Sequence, residues 1–588
     1  MKLYKLSLAL FLGFGAMSMT SCEDKLEVTN PNEQTTGTFG FTSDDLEECV
    51  IAAYHDLRME GSTGRVGYTI DAVRGDEVWN SSQVWYMPFD DMNDPVTDGI
   101  SFWPWREYYY AINVCNFILS RTTGDNAQLS ESMKRIKGQA LFIRGFAYYN
   151  LVGYYKDVPL ITDYSTYSSL DGLYGANNTS DEVLDQAEKD LKEAMELLPN
   201  RQAGGEWAKG RATCGAAAGY YARTLMFRHK YSEALEVLKD IIGGTKYGKY
   251  KLMANYGDNF REGSAYENND ESLFEVQYLD YGTQGVDDEW TPVNVSPNAT
   301  QGHAVESNFA PGDFGGWADL SASPWLYNLF KEERTTAGKL DPRLYWTLGT
   351  YEKEWEGFEN GNVAYTKKIT ATDTLRTNNN YGGIPIAKWT NMRTGLYSSV
   401  ATGLRCGINL RMMRYSDVLL RAAECENEVN GPTEQAIKWI NEVRQRAGLA
   451  DLKLADFNTK DKLFEQIANV ERPKEFGCEN GRGMDLIRWG FFYDNGRLDQ
   501  LKEHGTFYKS KTIDVKTPVT YAQTKTDPEH VKSSYDTYLP GHEFLPIFQT
   551  LLNNNPNLKG NSANEGIDNS TDFFGRGWTV HPVVDLSK

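Results

Sequence analysis

Residues 414–449 read RYSDVLLRAAECENEVNGPTEQAIKWINEVRQRAGL and predict two helices joined by a short turn. In the first half, apolar residues recur with the 3.6-residue period of an α-helix. They are Tyr415, Val418, Leu419, Ala422 and Val429. Gly431-Pro432 ends this helix and Thr433 is a suitable N-cap for the next. The second apolar face comprises Ala436, Ile437, Ile440, Val443 and Ala447. Two amphipathic helices so close together are expected to pack antiparallel.

Two earlier segments repeat this design without repeating the sequence. Residues 131–155 and 180–199 form one predicted helix pair, and residues 210–242 form another. Several such pairs indicate a mostly α-helical, tetratricopeptide-like stack of helical hairpins. Between about residues 245 and 405 Gly, Pro, Asn and aromatic residues dominate, which predicts a loop-rich insertion with short strands. We expect that insertion to carry the ligand site.

The N-terminus has the pattern of an export signal that stops at a cysteine. Lys2 and Lys5 precede an apolar stretch that is too short and too interrupted for a bilayer span of ~20 residues. Small residues then lead to Cys22, followed by acidic residues. This pattern looks like a bacterial lipobox and predicts a signal peptide over 1–21, lipidation of Cys22 and a tether over 22–41. An uncleaved membrane anchor is the alternative interpretation.

The charge of the chain excludes one class of partner. The 588 residues carry 60 basic and 81 acidic side chains, a net charge of −21. Removing residues 1–21, which hold two lysines and no acidic residue, gives −23. Such a surface repels nucleic acid. The six cysteines after Cys22 are scattered without C-x-x-C pairs, which argues against a zinc site and favours buried thiols.

Five stretches together resemble a known family. They are LFIRGFAYYNLVGYYKDVPLIT (141–162), RYSDVLLRAAECENEVN (414–430), AIKWINEVRQRAGL (436–449), ERPKEFGCENGRGMDLIRWG (471–490) and LPIFQTLLNNNPNL (545–558). In this order the chain resembles the SusD/RagB family of outer-membrane nutrient-binding lipoproteins. The resemblance implies a helical N-terminal region over 42–260 and a SusD/RagB region over 261–588, packed together as one globular unit.

The resemblance also implies a function. Family members capture oligosaccharides at the cell surface and deliver them to a SusC-like, TonB-dependent transporter in the outer membrane. It implies a protein that faces the cell exterior, anchored through Cys22, and that is not an enzyme. Two alternatives stay open, a binder of peptides or another nutrient and a secreted helical glycoside hydrolase. A deep charged pocket would favour the first alternative, and two facing carboxylates ~5–10 Å apart would favour the second.

Charged residues alternate in sign along residues 471–488. They are Glu471, Arg472, Glu475, Glu479, Arg482, Asp485 and Arg488. Arginine can hold a carboxylate with two parallel hydrogen bonds. We therefore interpret this cluster as an internal salt-bridge network and not as a catalytic site.

Aromatic residues indicate where a ligand would bind. A sugar ring has an apolar face, which a flat aromatic side chain covers, and a rim of hydroxyls, which planar polar groups hold. The segment RGDEVWNSSQVWY (74–86) supplies both types of group, and a second aromatic set lies in the insertion. The predicted ligand-binding residues are Asp76, Trp79, Asn80, Trp85, Tyr86, Trp290 and Trp317. Trp103, Trp105 and Tyr108 are instead predicted to belong to the core.

The sequence supplies little evidence for a cofactor or for catalysis. It contains no G-x-S-x-G, H-E-x-x-H or P-loop motif, and its seven histidines have no metal-ligand spacing. The segment DDMNDPVTDG (90–99) is rich in oxygen ligands but lacks EF-hand spacing. It leaves a structural calcium ion as an alternative to a solvated acidic loop. No other cofactor is expected.

Overall fold

A computed structural model describes residues 42–80, 83–168, 172, 174–279, 302–355, 374–376, 383–393, 402, 405–508, 512–514 and 531–587. The predicted signal peptide and tether therefore lie outside the described residues. The fold is mostly helical, with only short strands, which confirms the predicted class.

The helices of the N-terminal half are mostly long. They are α1 (Ser43–Arg58), α2 (Arg65–Val73), α3 (Met87–Asp90), α4 (Phe102–Arg121), α5 (Glu131–Tyr155), α6 (Ser180–Leu197), α7 (Arg201–Gly204), α8 (Cys214–Phe227) and α9 (Tyr231–Gly243). Short helices dominate the rest. They are α10 (Val305–Phe309), α11 (Pro324–Lys331), α12 (Pro342–Thr347), α13 (Tyr415–Asn430), α14 (Glu434–Arg446), α15 (Lys460–Gln466), α16 (Arg472–Phe476), α17 (Arg482–Arg488), α18 (Asn495–His504), α19 (Gln549–Asn554), α20 (Ser562–Glu565) and α21 (Ser570–Gly575).

The strands form antiparallel pairs. Their bounds are β1 (Val78–Asn80), β2 (Ser272–Val276), β3 (Leu320–Ala322), β4 (Thr374–Arg376), β5 (Leu410–Arg414), β6 (Thr506–Tyr508), β7 (Thr512–Asp514) and β8 (Val531–Ser533). β1 pairs with β3, β2 with β5, β4 with β7, and β6 with β8. The first pair joins the predicted N-terminal region to the predicted C-terminal region.

The three predicted helix pairs are present, and local sequence signals begin each one. Thr179 forms a capping box with Glu182 at the start of α6, which packs on α5. Thr213 caps α8, which packs on α9. Thr433 caps α14, as predicted, and α14 packs on α13. Stacked helix pairs of this kind form the predicted tetratricopeptide-like arrangement.

The charged cluster of residues 471–488 is buried, as the alternation of sign predicts. Arg414 binds Glu475 (Nη1–Oε1, 2.8 Å) and Glu479 (Nη2–Oε1, 2.6 Å), and Arg472 binds Asp485 (Nη2–Oδ2, 2.6 Å). Burial alone would raise the pKa of Glu475, but Arg446, Arg414 and Arg343 outweigh it and hold that pKa well below its usual range. These buried ion pairs therefore hold the C-terminal helices against the rest of the helical stack.

The acidic segment of residues 90–99 is only in part the solvated loop that its composition suggests, because Asn93, Pro95 and Thr97 are exposed but two carboxylates are buried. Asp90 and Asp94 are 3% and 4% exposed. Asp90 accepts hydrogen bonds from the Asn80 N–H (3.0 Å) and from the Ser534 hydroxyl, and Asp94 pairs with Arg74 (2.9 Å). Burial raises the pKa of Asp90 to about 8 and that of Asp94 to about 7. These carboxylates thus bind protein groups.

Two further features concern the described part of the chain. Its six cysteines are buried free thiols, as their scattered positions predict. Among the described helices, none combines the length and the hydropathy needed to cross a bilayer.

Candidate functional site

The pairing of β1 with β3 brings two aromatic turns together. The register is antiparallel, with Asn80 opposite Leu320. The end of β1 therefore lies beside the start of β3. Trp85 follows β1 by five residues and Trp317 precedes β3 by three, so both project from the same end of this strand pair.

Arg65, the first residue of α2, links the two tryptophans. Its guanidinium carbon lies 5.0 Å from the centre of the Trp85 ring and 5.1 Å from that of Trp317. These distances are in the range of cation–π contacts. Arg65 Nε donates a hydrogen bond to Glu60 Oε1 at 2.7 Å. Because the Arg65 side chain is only 2% exposed, the rings and Glu60 enclose it almost completely. We name Trp85, Arg65 and Trp317 the tryptophan–arginine cluster.

Tyr86 supports this cluster from the interior. Its ring stacks on Trp85 with centroids 4.0 Å apart and planes 27° apart. Its hydroxyl lies 2.6 Å from Thr69 Oγ1 and accepts a hydrogen bond from Asn308 Nδ2 at 2.9 Å. Tyr86 is fully buried, so it positions Trp85 without reaching the surface.

The turn that carries Trp317 depends on two glycines. Gly315 has φ of +81°, which glycine adopts without strain. A Cβ atom at Gly316 would lie 2.0 Å from the carbonyl oxygen of Ala310. This close approach lets the Trp317 N–H donate to the Ser307 carbonyl at 2.6 Å. The turn is thereby pinned to the end of α10.

Carboxylates beside the cluster are partly shielded from water. Burial raises the pKa of Glu60, and the Arg65 charge opposes this effect. Burial also raises the pKa of Glu107 to about 7, although Arg106 opposes it. Glu107 Oε2 accepts a hydrogen bond from the Ser62 N–H at 2.9 Å, which fixes the turn between Glu60 and α2.

The arrangement leaves apolar side-chain surface for a ligand. Trp85 and Trp317 are both half-buried, so part of each residue is accessible to solvent. Beside Trp85, Val84 is 76% exposed and Met87 is 39% exposed. Among the described residues, no group of His, Cys, Asp and Glu has the geometry to hold a metal ion.

Asp76 and Trp79, predicted to contact ligand, lie in the interior. Asp76 is fully buried and accepts two hydrogen bonds from Arg482, at 2.7 and 2.8 Å. Trp79 is 1% exposed and stacks on Phe507, with centroids 4.1 Å apart and planes 3° apart. These positions correct the expectation from sequence, because a residue without accessible surface cannot stack on a sugar.

Asn80 and Tyr86 require the same correction. Asn80 is 6% exposed; its Nδ2 donates to the Gln83 carbonyl at 2.7 Å and its Oδ1 accepts from the Gln83 N–H at 2.9 Å. It therefore shapes the turn that presents Trp85. Asn80 and Tyr86 are both buried, and both help to position Trp85.

The other aromatic residues singled out in the sequence have three different outcomes. Trp290 lies outside the described residues. Trp105 and Tyr108 are core residues, as predicted, with 8% and 1% exposure. Trp103 is half-buried and packs against the core, so its assignment to the core holds in part. Its helix α4 begins at Phe102 and directs Trp105 and Tyr108 inward, which leaves Trp103 at the edge of the core.

Sequence reasoning missed Arg65 and Glu60. Both lie in MEGSTGRVGY (59–68), which contains no tryptophan and no paired polar motif. Arg65 contacts Trp85 and Trp317, which lie 20 and 252 positions away in sequence. Glu60 belongs to the site only through its hydrogen bond with Arg65. No local pattern could have identified them.

A concavity of about 360 Å³ lies away from the cluster, between the loop after α6 and strand β2. It has charged walls, but opposite charges pair there. Arg201 lies 3.6 Å from Asp270, Lys209 lies 2.7 Å from Glu206, and Arg211 pairs with Glu47. It therefore presents no uncompensated charge of one sign to a peptide.

Comparison with known sequences identifies the family. The profile described as "SusD family" matches residues 270–566, which is half of the chain. The chain belongs to the SusD family. A second profile, "Starch-binding associating with outer membrane", matches residues 24–226. The resemblance of the five motifs to this family is thus confirmed.

Individual relatives of the SusD family cover most of the chain. SusD-like protein P25 of Formosa agariphila is 25% identical over 530 residues, which are 84% of this chain and 91% of that protein. A SusD superfamily protein of Bacteroides vulgatus is 23% identical, with a TM-score of 0.68, over 90% of this chain and all of that one. Surface glycan-binding protein A of Bacteroides thetaiotaomicron, in complex with laminarihexaose, is 21% identical with a TM-score of 0.63, over 88% and 99% of the two chains.

Proposed function

We propose that this protein binds oligosaccharides at the cell surface and passes them to a SusC-like, TonB-dependent transporter of the outer membrane. Membership of the SusD family supports this function, as does a solved structure of the same fold that contains laminarihexaose. Acyl chains on Cys22 would hold the protein on the outer membrane, facing the exterior. The protein releases its ligand unchanged and uses no cofactor; a structural calcium ion remains compatible with the function.

The tryptophan–arginine cluster is the observation that carries the proposal. Trp85 and Trp317 are half-buried and both contact Arg65, and Trp85 also stacks on the buried Tyr86. A rigid, partly exposed aromatic surface suits the apolar face of a sugar, since little conformational entropy is lost on binding. Loops vary more in sequence than the helices and strands they connect. A screen of purified glycans is therefore the way to identify the sugar.

Replacing either tryptophan of the cluster should weaken glycan binding. We expect Trp85→Ala and Trp317→Ala each to raise Kd about ten-fold or more. A stacked ring contributes roughly 0.5–1.5 kcal/mol beyond its buried area, and the lost apolar area adds about 25 cal/mol per Å². About 1.4 kcal/mol corresponds to ten-fold in Kd. Calorimetry with the tightest-binding glycan of a panel that includes laminarihexaose measures this change.

Trp207→Ala is the matched control for these variants. Trp207 is also half-buried and also lies beneath arginines, with Arg135 at 4.9 Å and Arg211 at 5.4 Å from its ring centre. It lies between Glu206 and Ala208, which line the concavity after α6, and its ring contacts no residue of the cluster among the contacts described above. Its removal should leave glycan affinity unchanged. If all three variants lose affinity equally, or if Trp85→Ala retains full affinity, the cluster is not the binding site.

The proposed function also predicts no hydrolysis. Glu60 accepts a hydrogen bond from Arg65, and the neighbouring Glu107 accepts from the Ser62 N–H and pairs with Arg106, so both carboxylates are bound to protein donors. We expect the purified protein to release no reducing ends from its bound glycan during prolonged incubation. Release that is abolished by Glu60→Gln would instead establish a glycoside hydrolase.

A further inference from the structure

A strap of irregular chain contacts helices α13, α15 and α18. It comprises residues 578–587, which belong to no helix or strand among the described elements. Near its start Trp578 stacks on His229, with ring centroids 4.0 Å apart and planes 16° apart. Arg497 of α18 donates from Nε to the His581 carbonyl at 2.7 Å. Side chains of the helices therefore hold the strap in place of a strand ladder.

The side chain of His581 makes the central contact of the strap. Its ring stacks on Phe464, with centroids 4.1 Å apart and planes 16° apart. Its Nδ1 lies 2.6 Å from Asp461 Oδ1, and its Nε2 lies 2.6 Å from Glu428 Oε1. The His581 side chain is only 13% exposed, so protein groups replace most of its hydration. Both ring nitrogens thus face carboxylate oxygens, one from α15 and one from α13.

This geometry favours the charged form of the imidazole ring. A neutral imidazole has one N–H donor, and its other nitrogen carries a lone pair. In that form one of the two carboxylates would face a lone pair at 2.6 Å. The imidazolium donates from both nitrogens, so each contact becomes a charge-assisted hydrogen bond. Loss of one proton therefore turns one attachment of the strap into a repulsive contact.

The charges around His581 support the same form. Lys460 pairs with Glu428 Oε2 at 2.8 Å, on the oxygen that does not contact His581. Together the imidazolium, Lys460, Glu428 and Asp461 carry no net charge, whereas the neutral ring would leave one negative charge in excess. Burial lowers the pKa of His581, but the hydrogen bonds and charges of Glu428 and Asp461 outweigh burial and raise that pKa above its ordinary value.

The other charged and titratable groups against the strap do not provide the same response. The Arg497 guanidinium is paired with Glu465 of α15 at 2.6 Å. The second histidine, His229, lies 2.6 Å from the Arg488 carbonyl through its Nε2. Burial lowers the pKa of His229 to about 4, so this ring is neutral at the neutral and alkaline pH at which His581 loses its proton.

We propose that the strap is a pH-sensitive clasp, which His581 closes in its charged form and releases when it loses a proton. Because closure raises the pKa of His581, the proton stabilises the closed strap fully below the ordinary histidine pKa of about 6.5. This stabilisation is lost as the pH rises through the raised pKa of the closed form. Release would uncover the Phe464 ring, which is 1% exposed, and Arg497, which is fully buried. The clasp does not depend on the proposed function.

The mobility of a spin label on the strap tests this clasp in the full chain. Thr579→Cys and Val583→Cys each place a label at an exposed position on one side of His581. The six native cysteines of the described residues are buried, and the chain without an added cysteine gives the labelling background. Electron paramagnetic resonance measures the ratio of mobile to immobilised label from about pH 6 to about pH 9, a range that spans the titration of a histidine with a raised pKa. The ratio should rise about three-fold or more, which corresponds to a pKa shift of half a unit.

Substitutions assign the response to one side chain. His581→Gln supplies no charge, so it should leave the label mobile at every pH in this range. His229→Gln should keep the response, because that ring is already neutral. A label at Lys192→Cys, exposed on α6, should give the same spectrum throughout. A wild-type ratio that does not change with pH, or a response that survives in His581→Gln, overturns the proposal. The wild-type series decides the first point even if His581→Gln impairs folding.

Discussion

Arg414→Met is expected to lower the free energy of unfolding by about 3–5 kcal/mol, the range for removing one partner of a buried ion pair. The Arg414 side chain is 1% exposed. It binds Glu271 at 2.6 Å, Glu475 at 2.8 Å and Glu479 at 2.6 Å. Methionine fills part of the same volume but supplies no charge, so the variant removes the ion pairs while keeping part of the packing.

The cost arises from the carboxylates that remain. Glu271 and Glu475 are fully buried and Glu479 is 5% exposed, so water cannot replace the guanidinium. Arg446 still binds Glu475, and Lys388 still binds Glu479 at 3.1 Å. The remaining cations reduce the penalty without removing it, because three buried acids then share fewer hydrogen-bond donors.

Denaturant unfolding of Arg414→Met beside Lys209→Met measures this effect. Lys209 also forms an ion pair, with Glu206 at 2.7 Å, but the two side chains are 61% and 88% exposed. An exposed pair contributes little, so the control should unfold at the wild-type denaturant concentration. Equal midpoints for Arg414→Met and wild type would show that the network does not stabilise the fold.

The helical scaffold could be predicted from sequence because its signals are local. The apolar period of residues 415–447 and the caps at Thr179 and Thr433 act within one or two turns. The alternating charges of residues 471–488 also indicated their mutual pairing. Arg343 and Arg414, which bind Glu475 from 132 and 61 residues away, could not be identified in this way.

The candidate site was only partly predictable because exposure depends on distant contacts. Asp76 and Trp85 occur in one polar segment, and composition alone treats them alike. Arg482, 406 residues after Asp76, binds that buried carboxylate, whereas Trp85 packs on the buried Arg65 and is itself half-buried. Trp103 is predicted to be a core residue because Pro104 fits a helix start and Tyr108 continues an apolar face. The helical period turns Trp103 away from Tyr108, so it lies at the edge of the core.

The anchor is the second feature with a large expected effect. Cys22→Ala should abolish incorporation of labelled fatty acid and move the protein from the membrane fraction to the soluble fraction. Each buried CH₂ group contributes about 0.8 kcal/mol to membrane binding, and attachment by more than one acyl chain is stable. Twenty residue steps separate Cys22 from Thr42, the cap of α1, and could span at most roughly 65–70 Å. An anchor at Cys22 therefore leaves the folded protein room to reach ligand and transporter.

Ser21→Ala provides the control for the anchor, because it keeps a small residue immediately before Cys22 and so preserves the cleavage pattern. This variant should be labelled and retained like wild type. Cys22 is the only cysteine in the first 48 residues, so loss of the label cannot be compensated by a neighbouring thiol. Fatty-acid labelling that persists in Cys22→Ala, with the protein still in the membrane fraction, would show that the lipobox interpretation is wrong. Retention without label would instead point to an uncleaved N-terminal segment as the anchor, and the mass of the mature N-terminus distinguishes these outcomes.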